Sequence, residues 1–203
     1  MPVASTSNIE IAQRACTLAG LSKPSTFEDP DNEVSQALND IYEDLVTDAL
    51  TIHPWRFAIF TETLGPPLAT KPAVEFNTAY ALPTTPAPLQ VRTLWLSGTI
   101  ASRYRIMGSE LWVDASPSDG VELEAIWRLN ETQWPPWFRL YVILRVASFL
   151  GGAVTRNGEL ATFHANEAEK QLVRSRTRDS QQQTTSKIRL VKVRSTRLGG
   201  RPY

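Results

Sequence analysis

Between residues 51 and 59 the chain changes its hydrophobic period, and that change limits its possible folds more than any other feature. Before it, Val34, Leu38, Ile41, Leu45, Ala49 and Ile52 recur every three or four positions, with Asp40, Glu43, Asp44 and Asp48 mostly displaced from that stripe. Then comes His53-Pro54-Trp55-Arg56-Phe57-Ala58. A proline pushes the residue ahead of it out of the α region, so the helix has to end before Pro54. Beyond Trp55 the period is two.

Residues 55–64, 76–82, 91–96, 100–107, 110–115 and 121–128 are each short, rich in β-branched or aromatic side chains, and bounded by Gly, Pro or Ser. Gly108-Ser109 between Tyr104-Arg105-Ile106-Met107 and Glu110-Leu111-Trp112-Val113 predicts a two-residue hairpin. In the last strand Val121, Leu123, Ala125 and Trp127 share one face, against Glu122, Glu124 and Arg128. The expectation is an antiparallel meander packed on one side.

Helices are expected on both sides of this region. Ser7-Asn8-Ile9-Glu10 is a capping box that starts a first helix, which Gly20 stops. Asp29-Pro30 predicts the start of the second, with an acid at the cap and proline at the first helical position. After Trp134-Pro135-Pro136, residues 138–154 are apolar almost all round, which predicts a central helix. Asn157 can cap a fourth, with Leu160, Phe163, His164, Ala168 and Leu172 inward, running toward Gln183. Gly151-Gly152 and Asn157-Gly158 read as loop punctuation.

The fold class expected is therefore α+β: a helical bundle built from both chain ends (1–54 and 134–185), an inserted antiparallel β-domain (55–133), and an extended basic C-terminal arm (186–203). Pro54 and Pro135-Pro136 mark the two joints, with Trp55 and Phe57 expected to anchor the first strand where Trp137 and Phe138 re-enter the bundle.

Formal net charge is zero, yet the charges are segregated. From residue 170 to 203 ten Lys or Arg face one acid, Asp179, a net +9 that the rest of the chain balances. A block of like charge marks an interaction tail. Lys187, Ile188, Arg189, Leu190, Val191, Lys192, Val193 and Arg194 mix basic and aliphatic side chains, which suits a segment that adds as a strand or threads against an acidic neighbour. The single cysteine, Cys16, stands in an apolar helical pattern and reads as a buried thiol, which points to assembly in a reducing cytoplasm. The first residues lack a signal-peptide pattern, and the apolar run 140–154 is too short and too charged to span a membrane.

Chemistry is sparse. His53 and His164 belong to no metal-ligating pattern, and no phosphate-binding glycine motif is present, so no catalytic, cofactor or metal residue is assigned. Glu28, Asp29, Asp31 and Glu33 suit a helix start better than a glycosidase pair. Trp95, Trp112, Trp127, Trp134 and Trp137 could stack nucleotide bases, but basic residues are not concentrated among them, so core or subunit contact is the better reading.

Pro54-Trp55-Arg56-Phe57-Ala58 after two helices, Ala79-Tyr80-Ala81-Leu82-Pro83 leading into Val91-Arg92-Thr93-Leu94-Trp95, the Gly108 hairpin and the helix pair begun at Pro136 follow one another in a familiar order. In this the chain resembles the head-to-tail adaptor (connector) family of tailed bacteriophages, in the tail tubular protein A type of short-tailed phages. The resemblance spans approximately residues 8–183; it departs at Thr84-Thr85-Pro86-Ala87-Pro88 and does not extend over the tail after Lys187. It implies a structural protein, not an enzyme, without a cofactor. Twelve copies would form a ring below the phage portal protein, continuing the DNA channel toward a tail or nozzle protein, in the virion and, during assembly, the host cytoplasm. Carried over, the portal-facing residues are Arg174, Arg176, Arg178, Lys187, Ile188, Arg189, Leu190, Val191, Lys192, Val193, Arg194, Arg197, Arg201 and Tyr203. DNA would pass an acidic body without specific binding, since duplex affinity comes largely from neutralised phosphates. Two other classes fit the residues: a DNA-binding module using the same arginines and the tail, and a cell-wall hydrolase attached to a tail.

Overall fold

The hydroxyl of Ser7 accepts from the amide of Glu10, and the helix it opens, α1 (Asn8–Ala19), ends at Gly20 with φ 71°. There the left-handed cap lets the amides of Gly20 and Leu21 bond back to Thr17 and Cys16 carbonyls, as the sequence predicts for both ends. The computed structural model describes residues 7–69, 75–116 and 119–182. Over these the chain is α+β, with four α-helices and two antiparallel sheets.

The second helix, α2 (Glu33–Thr51), starts later than Asp29-Pro30 predicts. Asn32 takes the cap instead, its side chain accepting from the amides of Val34 and Ser35. Asp29 is occupied elsewhere, accepting from the amide of Asp31 in a separate turn. Asn caps as well as Asp, so propensity alone could not choose between the two.

Helix α3 (Pro136–Ala153) begins at the expected proline, and α1, α2 and α4 (Gly158–Ser180) all pack on it. Asn157 caps α4 by accepting from the Leu160 amide. Gly151 lies inside α3, not in a loop. A Cβ there would come within 3.1 Å of the Ala161 backbone nitrogen, so glycine lets the α4 backbone approach. Ser148 Oγ donates to the Ala161 carbonyl at the same crossing. On the inward face of α4, His164, Ala168 and Leu172 are buried as expected and Ser175 and Asp179 join them, whereas Leu160 is half-buried and Phe163 is 58% exposed. Steps of four and three from His164 carry the buried line away from Phe163.

The strands are β1 (Ile59–Thr63), β2 (Thr78–Ala81), β3 (Pro88–Leu96), β4 (Thr99–Ile100), β5 (Tyr104–Met107), β6 (Glu110–Val113) and β7 (Val121–Trp127). They do not form one meander. One sheet has the order β1-β7-β3-β4 and the other β2-β6-β5. Residues 100–107, expected as one strand, divide between the two sheets, with buried Ala101 at the break. A single layer would have left its apolar face open; two layers close it around Leu94, Leu111, Val113, Leu123 and Trp127. Gly108, at φ 60°, turns the predicted hairpin and pairs Met107 with Glu110.

Strand β7 joins the two cores. Val121, Leu123, Ala125 and Trp127 face the second sheet, as their alternation predicts, while Ile126 on the other face belongs to the helical core.

Candidate partner-binding surface

The residues that mark the two joints meet in space. Trp55 lies 5.5 Å from Trp137 and 5.3 Å from Phe138 between ring centroids, and Phe57 lies 5.6 and 4.9 Å from the same pair. Trp55 is fully buried, and its indole N–H donates to the Ala49 carbonyl near the end of α2. Where the sequence predicts one strand from residue 55, a 3₁₀ turn over Arg56–Ala58 precedes β1. That turn directs Trp55 and Phe57 into the aromatic cluster.

The end of α4 closes this joint. Asp179 is 1% exposed, and its carboxylate accepts from the backbone amide of Arg56 at 3.1 Å. Its other oxygen lies 3.6 Å from His53 Nε2. Burial holds the His53 imidazole below its ordinary pKa, against the opposing pull of the Asp179 carboxylate. His53 also stands edge-on to Trp55, 4.6 Å between centroids. Two arginines then exchange caps: Arg176 on α4 donates to the Ile52 carbonyl ending α2, and Arg56 donates to the Ser180 carbonyl ending α4. Each supplies positive charge to a helix C-terminus. Trp137 is tied to α4 as well, its carbonyl accepting from Gln171 and Ser175.

This geometry separates the three arginines of α4 that the sequence groups together. Arg174 and Arg178, four residues apart, lie exposed on one face, whereas Arg176 is half-buried against the joint. Lys187, Ile188, Arg189, Leu190, Val191, Lys192, Val193, Arg194, Arg197, Arg201 and Tyr203 lie outside the described residues. His164 is a structural residue: its Nε2 meets the Leu18 carbonyl at 3.2 Å, tying α4 to α1.

Sequence reasoning missed Asp179, the one acid in the basic block, because it registered only as a charge to subtract. Its step of four from Ser175 on the buried face was the available signal. It also missed Glu131, buried beside Tyr42 and held at 2.7 Å by Arg128, which reaches Glu43 too. This cluster fastens α2 to the chain just before α3. The Tyr42 hydroxyl is pushed up from its ordinary pKa, first by burial and then by Glu131.

Among the described residues no group of three or more His, Cys, Asp or Glu could hold a metal ion, and no helix is long and apolar enough to cross a membrane. Of the five tryptophans weighed as a stacking platform and read instead as core or subunit contact, Trp127, Trp134 and Trp137 are buried, and Trp95 and Trp112 half-buried. These five rings therefore offer bases no continuous open row to stack on. Glu28 and Asp29 line a cleft of about 350 Å³ with Asp40. The Asp29 carboxylate is spent on its own turn. No protein-family model matches the chain, and no curated protein matches it.

Proposed function

We propose that this chain is a structural head-to-tail adaptor of a tailed bacteriophage. In this reading twelve copies form a ring below the portal protein, extend the DNA channel, and offer the strand region to a tail or nozzle protein. One observation carries it: Pro54-Trp55-Arg56-Phe57-Ala58 and the segment opening α3, which bear the resemblance, meet in one buried aromatic joint closed by the end of α4. A joint of that kind fixes where α4 points. It also fixes the position of Gln182, the last described residue before the basic segment, and a repeated, rigid anchor of that kind suits a subunit that must present the same arm around a ring. Arg174 and Arg178 extend the basic surface onto α4 itself.

The test is assembly. Purified protein mixed with portal rings of the matching phage should co-migrate on sizing, and deletion of residues 186–203 should abolish docking while leaving the helices folded. Failure of the intact chain to join a portal or form a ring would sink the reading; unchanged docking after the deletion would sink the role of the arm.

The exposed pair Arg174 and Arg178 favours a second reading, a DNA-binding module. That reading requires duplex affinity falling steeply with salt, by roughly one counterion per phosphate neutralised. Absent or salt-independent binding eliminates it.

A further inference from the structure

Only part of the outer face of the four-stranded sheet is covered. Side chains directly opposite in an antiparallel pair share a face. The registers Thr63↔Glu122, Trp95↔Glu122 and Trp95↔Ile100 therefore place these four residues in one row across the sheet. Thr61, Glu124 and Thr93 form the next. In the third row Ile126 packs into the helical core, so the helices cover that end of the face. Toward the other end Ile100 is 63% exposed, Thr61, Thr63 and Glu122 are exposed, and Trp95 and Glu124 are half-covered. What stands wholly or partly open is two carboxylates bordered by an indole and an aliphatic side chain.

Helix α4 delivers the chain to the border of this surface. Gln182 lines a cleft of about 460 Å³ with Pro54, Arg56, Ile59, Arg92 and Glu124. The sequence continues through Gln183, Thr184, Thr185 and Ser186, all uncharged, before basic residues begin. The described chain ends at Gln182, beside Arg56 and Arg92, where a basic spacer would be repelled. From Gln182 to Lys187 an extended chain reaches up to about 17 Å, enough to bring the first basic residue past Glu124 toward Glu122. Residues 187–194 then carry Lys187, Arg189, Lys192 and Arg194 among Ile188, Leu190, Val191 and Val193. Their chemistry is complementary to the open face in both charge and apolar surface.

We propose that the uncovered end of this sheet face is a docking site for the chain's own residues 187–194, with the cations toward Glu122 and Glu124 and the aliphatic side chains against Trp95 and Ile100. The site belongs to the single chain and does not depend on the adaptor reading. A partner that captures the basic segment has to draw it off the sheet, so docking there competes with partner binding and holds the segment back until the partner arrives.

Every cation in this segment is a trypsin site, which makes the proposal measurable on the full chain. Digestion in dilute solution, read by mass spectrometry at Lys187, Arg189, Lys192 and Arg194, is compared with a synthetic peptide of residues 183–203. Docking slows these cuts by about tenfold or more relative to the peptide, because cleavage follows the open population. The double variant Glu122→Lys with Glu124→Lys brings the rate back to that of the peptide, with helix content unchanged by circular dichroism. Ile100→Ser, at an exposed position, raises the rate part of the way without altering charge and serves if the double variant does not fold. Equal rates for native chain and peptide overturn the proposal, as does protection that survives these variants. Protection that disappears on dilution also overturns it, assigning the segment to a second copy.

Discussion

The backbone amide of Arg56 donates to the buried carboxylate of Asp179, a residue 123 positions further along the chain, at 3.1 Å. That bond fastens the corner leaving α2 to the last turn of α4, and Trp55 lies one residue before it. Replacing Asp179 by alanine would leave the Arg56 amide without its acceptor and His53 without its neighbour. The expected loss is about 1–3 kcal/mol, seen as a lower denaturant midpoint with unchanged slope. Asp179→Asn keeps an acceptor and should fall between. An alanine variant as stable as the parent would remove Asp179 from the joint.

His53 gives the joint a pH dependence whose sign follows from burial. Its folded-state pKa is lowered from 6.5, chiefly by desolvation, although Asp179 pulls the other way. The unfolded chain therefore binds the proton more readily, and stability rises with pH across this window. The contribution is fully present above pH 6.5 and is lost as pH falls through the folded pKa. Titration of the imidazole by NMR should give a midpoint below 6.5, and His53→Gln should flatten the pH slope of stability there. A midpoint above 6.5 would mean that Asp179 outweighs burial.

The aromatic joint was legible in the sequence and the surrounding topology was not, for physical reasons. Trp55, Phe57, Trp137 and Phe138 flank prolines that end or begin helices, so local chemistry already placed them where the two patterns meet. The division into two sheets depends on which apolar faces find one another, and alternation in residues 100–107 carries no signal of where a strand changes layers. Ile126 was hidden similarly. Its neighbours Glu122 and Glu124 made that face look polar, although the helices reach its end. Phe163 reads as core because its spacing fits a helical stripe, and spacing does not say which stripe faces inward.

The joint's energetic weight can be read from Trp137. Its ring contacts Trp55, Phe57 and Phe138, and its carbonyl receives Gln171 and Ser175. Trp137→Ala should cost about 3–5 kcal/mol, the range for a large buried aromatic, and Trp137→Phe much less. Thermal unfolding followed by circular dichroism distinguishes them. If the alanine variant loses under 1 kcal/mol, the cluster is not where helices and sheets are held together.

Cys16 offers a probe of the helical core that needs no substitution. It is fully buried, and burial pushes its thiol up to about 11, so the thiolate is scarce at neutral pH. Alkylation of the native protein by iodoacetamide at pH 8 should be far slower than in denaturant. Its rate should track the opening of α1 from α3. Complete labelling of the native chain at the rate of the unfolded one would show that α1 is not packed as described.

Arg174 and Arg178 allow the partner-binding reading to be separated from fold stability. Both are exposed, four residues apart on α4, and make no contact that the joint depends on, in contrast to Arg176 with its bond to the Ile52 carbonyl. Replacing the pair by glutamate should shift stability by no more than about 0.5 kcal/mol, as expected of surface positions away from caps and cores. It should also weaken capture by portal rings, most visibly at low ionic strength where surface charge acts over the longest range. Arg176→Ala should do the reverse, lowering the unfolding midpoint through the lost cap on α2 with less effect on capture of the folded fraction. Sizing with portal and denaturant titration, run on the same three proteins, read the two effects independently. If the double reversal leaves capture unchanged at every salt concentration, the exposed face of α4 is not part of the interface, and any partner binding has to lie in the segment beyond residue 182 or in the sheets.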